Sequence, residues 1–290
     1  MVIVRLIGGL GNQMFQYALG RALAHLNRTT LKLDISAFDT YKLQKYGLDN
    51  FRITASVASH DEIKKLVGRT GRGAGVWALR NLMRSYYRRS VVRERQFHFD
   101  ANILRAGPNV YLKGYWQTEK YFKAVEELLR KEFTVRHPPD AQNQKIGAEV
   151  RGTNSVALHV RRGDYVTDPS TNRIHGTCSI AYYNEAVETI ARKISGPHFF
   201  VFTDDFVWAK ENLKFDFPIT YATGNGPENS YEDLRLMSLC KHNIVANSSF
   251  SWWGAWLNQN PAKIIIAPTH WFDRYAADTR DLLPESWIKL

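Results

Sequence analysis

The chain has 290 residues, 44% hydrophobic and 23% charged, which is the composition of a globular protein with one large or two medium domains. It has no apolar run of the roughly 18 residues that cross a bilayer, and residues 2–7 are too short and wrongly flanked for a signal peptide, so we expect a cytoplasmic protein. Cys178 and Cys240 lack disulfide or zinc-ligand spacing and are expected to pack in the core.

The net charge of +11 is concentrated between Arg69 and Arg95, where eight arginines accompany one acid, Glu94. Such a stretch suits an anionic membrane surface, a phosphorylated acceptor, nucleic acid or simply a solvated helix face. Because the sequence contains no zinc finger, KH loop or RNP motif, we predict no nucleic-acid binding. Peripheral contact with the inner face of the membrane, through residues 69–95, remains the alternative partner.

The chain begins with a predicted β-loop-α-β unit, in which residues 2–7 and 31–35 are strands around a glycine-rich turn at 8–13. Apolar residues then recur with the spacing of one helix face: Phe15, Leu19, Ala22, Leu23 and Leu26. A dinucleotide fingerprint would need a third glycine where Met14 stands, which disfavours NAD.

The turn itself brings backbone close to a possible ligand at a helix N-terminus, where Gly11, Asn12 and Gln13 are candidate binding residues. The alternative is a tight helix entry with Asn12 as N-cap. Residues 114–122 contain Tyr, Trp and Gln side chains that suit either a sugar or the core.

Further along, residues 60–67 and 119–133 are predicted helices and 109–113 a strand. Two prolines within 137–140, followed by polar residues 141–145, predict an interdomain linker. We therefore expect a Rossmann-like N-terminal domain at 1–140 and a second one at 141–290.

The second half alternates regularly between short strands and helices, which predicts a parallel sheet with right-handed crossovers. The predicted strands are 155–160, 198–203, 219–222, 243–246 and 263–267, and the predicted helices are 181–194, 206–213, 230–240 and 250–258.

The first of these strands runs directly into His159-Val160-Arg161-Arg162-Gly163-Asp164-Tyr165. Ligands of open α/β sheets bind at the carboxyl ends of strands, and paired guanidiniums match phosphate oxygens, so this loop is a candidate diphosphate clamp. The alternative is a structural ion pair between Arg162 and Asp164.

Two other strand ends carry polar groups. Asp204 and Asp205 lack the Asp-x-Asp spacing of a Mg²⁺ site, so we predict no metal. One of them, Asp204 by preference, is expected to accept bonds from guanine, and Asp205 to cap the next helix. Ser248, Ser249 and Ser251, at a predicted helix N-terminus, suit phosphate oxygens.

Three stretches resemble the bacterial-type α1,2-fucosyltransferases: residues 8–18, 114–122 and the His-Val-Arg-Arg-Gly-Asp-Tyr loop. The first and third also resemble parts of the protein O-fucosyltransferases, and the third resembles part of the α1,6-fucosyltransferases. The resemblance implies a GT-B fold, two Rossmann-like domains facing across a cleft, with an acceptor-side N-terminal domain and a GDP-fucose-binding C-terminal domain. It also implies an inverting enzyme that needs no metal or other cofactor.

By the same resemblance, Arg161 would contact the diphosphate, Arg162 would support it, His159 would lie near the nucleoside and Asp204 would read guanine. Gly11, Asn12 and Gln13 would lie near the fucose or the phosphates. Inversion also needs a base for the attacking hydroxyl. Asp164 is the first candidate, and Asp168 and His175 compete with it.

We therefore expect a galactoside α1,2-fucosyltransferase that moves L-fucose from GDP-fucose to the 2-hydroxyl of a galactose-terminated oligosaccharide acceptor. Fixed arginines would stabilise the leaving diphosphate in place of a metal. The alternatives are α1,6- or protein O-fucosylation, or a non-catalytic protein that binds a sugar or an anion.

Overall fold

In a computed structural model of the protein, the described residues are 1–40, 44–68, 82–83, 85–273 and 277–290. The chain forms two compact units, Met1–Arg136 with Asp278–Leu282, and His137–Ala277 with Leu283–Leu290. Each unit contains one sheet, and all its strand pairs in the described residues are parallel. The α/β fold class predicted from the sequence is confirmed.

The sheet of the first unit has the strand order β3-β2-β1-β5-β4. Its strands are β1 (Val2–Arg5), β2 (Leu31–Asp34), β3 (Ser56–Val57), β4 (Val91–Arg93) and β5 (Val110–Lys113). Its helices are α1 (Leu10–Leu26), α2 (His60–Val67) and α3 (Glu126–Glu132). The central strand β1 is apolar on both sides, as a covered parallel sheet requires.

Helix α1 forms as predicted, and Phe15, Leu19, Ala22 and Leu23 are buried, but Leu26 at its end is 53% exposed. The helix is also buried on more than one face, since every residue from Gln13 to Gly20 is buried. The N-cap is Gly9, with extended backbone and no side-chain cap. Asn12 lies within the first turn, so its interpretation as an N-cap is wrong. The preceding Gly8 has a φ of +84°, a left-handed conformation that glycine adopts without strain.

The segment predicted as one helix from 119 to 133 is instead two 3₁₀ turns, Glu119–Tyr121 and Lys123–Val125, followed by α3. Between the turns, Phe122 has a φ of −133° and is fully buried. Burial of this aromatic ring in the core overrides the helical pattern of the surrounding residues.

Glu132 is the polar centre of the first unit. Its carboxylate is 4% exposed and accepts hydrogen bonds from the Tyr17 hydroxyl at 2.7 Å, Arg21 Nε at 2.9 Å and Thr54 Oγ1 at 3.0 Å. These bonds join α1 to α3 and to the segment before β3. Burial raises the pKa of Tyr17, and its bond to Glu132 adds to the shift.

The C-terminal part of the chain also contributes to the first unit. The Asp281 carboxylate accepts from the Phe99 backbone N–H at 2.9 Å and pairs with Lys120 Nζ at 2.6 Å. His98 Nδ1 lies 3.3 Å from an Asp278 oxygen. A short segment near the end of the sequence thus supplies two carboxylates to His98 and Phe99, about 180 positions earlier in the chain.

The sheet of the second unit has the order β11-β10-β9-β6-β7-β8. Its strands are β6 (Asn154–Val160), β7 (Pro197–Thr203), β8 (Ile219–Tyr221), β9 (His242–Ile244), β10 (Ile265–Ala267) and β11 (Ile288–Lys289). Its helices are α4 (Ala141–Gly152), α5 (Gly163–Thr167), α6 (Pro169–His175), α7 (Ile180–Ala191), α8 (Phe206–Asn212), α9 (Ser230–Leu239) and α10 (Ser249–Leu257). The predicted alternation of strands and helices is confirmed.

The polar segment 141–145 is not part of a linker, because α4 begins at Ala141. The Asp140 side chain caps this helix by accepting from the Asn143 N–H at 2.8 Å, and Ile146 and Val150 are buried. Only two buried apolar side chains anchor the helix, which is too weak a periodicity to recognise in sequence.

No helix among the described residues is long and apolar enough to span a membrane. Within the basic stretch, Arg69, Arg72, Arg80 and Arg84 lie outside the described residues.

We predict that Glu132→Gln destabilises the protein by about 2–4 kcal/mol, because it removes one partner of a buried charged network. Urea unfolding of the variant and the parent measures this difference. Glu126→Gln is the matched control, since Glu126 is more exposed and pairs with Arg130 one helical turn away. That exposed pair should contribute at most about 0.5 kcal/mol. Equal effects of the two substitutions would contradict the assignment.

Candidate functional site

The adjacent carboxyl ends of β6 and β7 bring two arginines opposite two aspartates. Val160 is level with Thr203 in the parallel register, so the following residues leave the sheet side by side. Arg161 Nη1 lies 2.8 Å from Asp204 Oδ2, and Arg162 Nε lies 3.1 Å from Asp205 Oδ2. The described partner of Arg162 is therefore Asp205, where the sequence had offered Asp164.

Asp204 is held by backbone as well as by Arg161. Its Oδ1 accepts from the Arg162 backbone N–H at 2.8 Å. A Cβ on Gly163 would lie 2.7 Å from Asp204 Oδ2, so only glycine leaves room for the carboxylate in this position. The glycine of the Arg-Arg-Gly-Asp loop thus allows the close approach of two strand ends.

Arg162 is fixed by an ion pair and an aromatic ring. Asp205, its ion-pair partner, is the N-cap of α8 as predicted, and its Oδ1 accepts from the Trp208 N–H at 3.1 Å. The guanidinium carbon of Arg162 lies 4.1 Å from the centre of the Trp208 ring, a cation–π distance. Arg162 therefore supports the loop as a structural cation.

Arg161 is the more exposed of the two arginines. Its ion pair with Asp204 is exposed to about one quarter on both sides, and its guanidinium carbon lies 5.3 Å from the centre of the Tyr165 ring. An ion pair of this exposure contributes at most about 1 kcal/mol. An anionic ligand could therefore compete with Asp204 for this guanidinium.

His159 lies at the end of β6, 6% exposed, with its ring 5.8 Å from that of Phe250. Burial lowers its pKa to about 4. The negative charge of Asp204 opposes this shift, and the positive charge of Arg161 adds to it. The ring is therefore neutral at physiological pH. Its Nδ1 is buried without a hydrogen-bond partner among the described residues, so it has capacity for one more bond.

The N-terminus of α10 carries the predicted serines. Ser248 is the N-cap, and its Oγ accepts from the Phe250 N–H at 3.3 Å. Ser249 is the first helical residue and is partly exposed. The Ser251 hydroxyl is buried and donates to the Ser248 carbonyl at 3.2 Å, so it stabilises the turn instead of facing a ligand.

Asn247 holds this turn, a role that the sequence did not assign to it. The side chain is 3% exposed; its Nδ2 donates to the His175 carbonyl at 2.9 Å, and its Oδ1 accepts from Cys178 Sγ at 3.5 Å. The Tyr165 hydroxyl donates to the Asn247 carbonyl at 3.4 Å. One amide thus joins the end of α6 to the N-terminus of α10.

The three candidate bases lie in or beside α5 and α6, two short helices that the sequence did not predict. Asp164 is the second residue of α5, and its side chain lies outside the described part of the chain. Asp168 lies between the helices and is partly buried. The His175 ring stacks on Tyr165 at 4.7 Å, the same tyrosine that approaches Arg161.

The predicted residues of the glycine-rich turn lie in the first unit. Gly11 is buried at the start of α1, and Asn12 Oδ1 accepts from Gln117 Nε2 at 2.7 Å. Gln13 is fully buried; its Nε2 donates to the Gly8 carbonyl at 2.9 Å, and its Oε1 accepts from the Gly47 N–H at 3.0 Å. The Gln13 amide therefore supports the turn from within.

The aromatic stretch from 114 to 122 is largely core. Trp116 and Phe122 are fully buried, whereas Tyr115 is 41% exposed. Gln16, which the sequence did not single out, donates to the Gly114 carbonyl at 3.2 Å and accepts from the Ile7 N–H at 2.9 Å. It joins the segments that follow β1 and β5.

In the described part of the chain, no cluster of three or more His, Cys, Asp or Glu residues could hold a metal ion.

We predict that His159 makes the protein less stable as the pH falls from about 6.5 to about 4. The pKa of His159 is lower in the folded state than in the unfolded state, so as the pH falls the unfolded state binds the proton first. The stability that the neutral His159 ring contributes is therefore complete only above the pKa of the unfolded state. Between these two pH values, the free energy of unfolding of the parent should fall more steeply with decreasing pH than that of His159→Phe, by up to about 1.4 kcal/mol per pH unit. Denaturant unfolding at several pH values measures it, with the exposed His60→Gln as control. Equal slopes for parent and His159→Phe would contradict the assignment.

Comparison with solved structures shows that the fold is that of fucosyltransferases. The crystal structure of fucosyltransferase NodZ from Bradyrhizobium aligns with a TM-score of 0.51 at 13% identity, over 87% of this chain and 92% of that one. FUT1 from Arabidopsis thaliana, solved as a mutant in complex with GDP, aligns with a TM-score of 0.52 at 12% identity, over 92% and 70% of the two chains.

Sequence relatives extend over the whole chain. The Escherichia coli alpha-1,2-colitosyltransferase is 36% identical over 297 residues, covering 100% of this chain and 99% of its own length. The E. coli O-antigen biosynthesis glycosyltransferase WbnK is 33% identical over 98% and 99%. The rat galactoside alpha-(1,2)-fucosyltransferase 2 is 27% identical over 89% and 67%. The family profile described as Glycosyl transferase family 11 matches residues 1–290, and the chain belongs to that family.

Proposed function

We propose that this family 11 glycosyltransferase moves L-fucose from GDP-fucose to the 2-hydroxyl of a terminal β-galactoside, with inversion and without a metal. The observation that carries the proposal is the pair of arginines at the end of β6, of which Arg161 is the more exposed, beside the buried and unpartnered Nδ1 of His159. The rat relative, named a galactoside alpha-(1,2)-fucosyltransferase, supports the choice of sugar and linkage.

Donor binding begins, in this proposal, with a change of partner at Arg161. The diphosphate offers a doubly charged partner with several oxygens, which outcompetes the exposed carboxylate of Asp204 for the guanidinium. Asp204 Oδ1 stays bonded to the Arg162 N–H, so the carboxylate keeps its position when Arg161 turns away. Its Oδ2 is then available to one donor of the nucleotide, and Oδ1, which has a second lone pair besides the one used by the Arg162 N–H, is available to another.

Guanine is the base that this site suits. Its N1–H and exocyclic amine are adjacent donors, which one carboxylate accepts together, and Asp204 is the proposed acceptor. His159 lies close enough to Asp204 for the carboxylate to shift its pKa, and its unpartnered Nδ1 is the second polar atom proposed for the nucleoside. The partly exposed Ser249 at the start of α10 would meet a phosphate oxygen.

The reaction needs stabilisation of the leaving diphosphate and removal of a proton from the acceptor. Loss of GDP places negative charge on the β-phosphate, where the permanently charged Arg161 would offset it. Asp164, in the helix that follows the clamp, is the proposed base, and Asp168 and His175 are the competing residues. The first unit, with Gly11, Asn12 and Gln117 near its turn, would serve the acceptor and the sugar.

The colitosyl group is a second candidate for transfer, because the 36% identical relative is named an alpha-1,2-colitosyltransferase. Colitose is fucose without the 3-hydroxyl. A site that hydrogen-bonds this hydroxyl rejects the deoxy sugar strongly, whereas a site that ignores it accepts both sugars. Competition between GDP-fucose and GDP-colitose therefore separates the two functions.

We expect the purified 290-residue chain to transfer fucose from GDP-fucose to lactose or another β-galactoside, also in excess EDTA. Mass spectrometry and NMR of the product should show one fucose in α-linkage to the galactose 2-hydroxyl. The matched control acceptor is the 2-deoxy-galactoside, which should remain unmodified. Fucose at another hydroxyl, or activity that returns only with Mg²⁺ or Mn²⁺, would contradict the proposal.

Arg161→Lys tests in the same assay whether the Arg161 guanidinium contributes to the chemical step. It keeps the charge but loses the planar fork, and it should lower turnover by about 10² while the thermal transition is unchanged. Arg192→Lys, on the exposed end of α7, is the matched substitution and should leave turnover as it is. Release of GDP that does not depend on any acceptor would indicate hydrolysis of the donor instead of transfer, and no release of GDP at all would favour a non-catalytic binding protein.

We predict that Asp204 discriminates GDP from IDP, which lacks the exocyclic amine. The parent should bind GDP at least about tenfold more tightly, the usual effect of one hydrogen bond to a charged group. Asp204→Asn should lose this preference, whereas Asp205→Asn should keep it even if binding of both nucleotides weakens. Calorimetric titration of both nucleotides gives the ratio. An unchanged ratio in Asp204→Asn would show that the carboxylate only orients Arg161.

A further inference from the structure

Three cations stand in one row at the carboxyl edge of the first unit's sheet. Arg5 ends β1, Lys113 ends β5 and Arg93 ends β4, and these strands are neighbours in that order. Lys113 is directly opposite Arg93, and continuing the register in which Val4 faces Leu112 places Arg5 level with Lys113. Level residues of parallel strands point to the same face, so the three side chains start from Cα positions within about 10 Å, two strand spacings. We call these residues the cation row.

No carboxylate in the described part of the chain pairs with the cation row. Within the described ranges, Arg5, Lys113 and Arg93 form no ion pair or hydrogen bond through their side chains. The stretches 41–43 and 69–81 contain neither Asp nor Glu.

Asp34 is level with Arg5 in the sheet, but its carboxylate is already used. It is 3% exposed, and its oxygens accept from the Tyr111 hydroxyl at 2.6 Å and from the Ser36 N–H at 3.0 Å. This carboxylate therefore serves the end of β2 and leaves the guanidinium of Arg5 to other partners.

Glu94 follows Arg93 in the chain, and its carboxylate is committed as well. Its two oxygens accept from the backbone N–H groups of Tyr115 at 2.6 Å and Trp116 at 2.9 Å. Burial raises the pKa of this carboxyl, so the surroundings oppose its negative charge. Three cations thus stand beside two carboxylates that are bonded elsewhere, and the row keeps an excess of positive charge.

The row costs the fold stability. Like charges on adjacent strands repel each other, and the pKa of Lys113 is lowered by burial and by the nearby Arg5 and Arg93. Lys113 and Arg93 are nevertheless exposed, and Arg5 is half-buried, so solvent and ligands can reach all three. An unfavourable arrangement on an accessible surface is expected where function requires it.

We propose that the cation row binds an anionic group of the acceptor substrate, a phosphate or a carboxylate attached to the galactoside. This inference rests on the proposed function, which assigns the donor diphosphate to Arg161 of the second unit and leaves this row for the other substrate. The carboxyl edge of a parallel sheet is where ligands of such folds bind, and three cationic side chains that start within about 10 Å of one another match one anionic group. A long polyanion would need a more extended track of charge.

The test compares acceptors that differ only in charge. The same β-galactoside is prepared with a neutral methyl, a carboxylate or a phosphate aglycone, and KM is measured for each with saturating GDP-fucose. The variants are Arg5→Gln, Lys113→Gln, Arg93→Gln and their combination. Arg105→Gln is the matched control, an exposed arginine of the same unit that lies outside the row.

The parent should have a KM for the anionic acceptors at least about fivefold below that for the neutral one, and about 0.5 M NaCl should remove most of this difference. The triple variant should bring the ratio close to one, the single variants should fall between, and Arg105→Gln should keep the parental ratio. A ratio near one in the parent, or a parental ratio in the triple variant, would overturn the proposal.

Two further measurements keep the result separate from the proposed function. If no acceptor is fucosylated, the proposed function fails, and calorimetric binding of the phosphate-bearing galactoside to parent and triple variant still decides the role of the row. Flotation with phosphatidylglycerol vesicles tests a membrane surface instead. Vesicle binding that the triple variant loses, with no preference for anionic acceptors, would replace the proposal by membrane contact. Because repulsion is removed, the triple variant should unfold at the same or a higher temperature.

Discussion

The parallel pairing of β6 with β7 is the constraint on which the candidate donor site depends. Seven residue pairs keep the two strands in register up to Val160 and Thr203, so the arginines and aspartates that follow leave the sheet at the same level. A slip of one residue would turn every side chain to the opposite face and separate both ion pairs. The buried aromatic side chains of β7, Phe199 and Phe200, make such a slip costly.

Around that pairing, fixed and exchangeable groups are kept apart. Asp205 caps α8 and forms an ion pair with Arg162. Because it caps α8, it also fixes the position of Trp208, whose ring lies beside the Arg162 guanidinium. Arg161 is the more exposed of the two arginines, with 27% of its side chain accessible against 18% for Arg162. Such a division suits a site whose geometry is set before the ligand binds, but in which one charged side chain can still pair with the ligand.

The sequence predicted well what depends on periodicity and strand ends. Apolar strands alternating with helices indicated the second sheet, because burial on both faces requires continuous apolar runs. The same pattern located Arg161, Arg162, Asp204 and Asp205 at neighbouring strand ends, since parallel strands end on one edge. What it missed depends on contacts between residues far apart in sequence.

From the sequence alone, the amide of Gln13 resembles a ligand-binding group, but in the fold the backbone of Gly8 and Gly47 satisfies it. Asn247 resembles any other residue of a polar run, and only the fold shows its hydrogen bond to the His175 carbonyl. Residues 141–145 resemble a linker because the polar side chains of α4 outnumber the two apolar ones that anchor it. Hydrogen-bond satisfaction and cap geometry are properties of the folded chain and leave no period in the sequence.

The course of the chain near its end has a practical consequence for dissecting the protein. Asp278–Leu282 belongs to the first unit and Leu283–Leu290 returns to the second, where β11 pairs with β10. A single cut after Arg136 would therefore leave the first unit without Asp281, the partner of Phe99 and Lys120. Neither unit is one continuous piece of sequence, so an isolated first unit would have to carry residues 278–282 on an added linker. Tags or truncations at the C-terminus are expected to disturb β11 in the second unit first, and then the first unit as the shortening reaches Asp281.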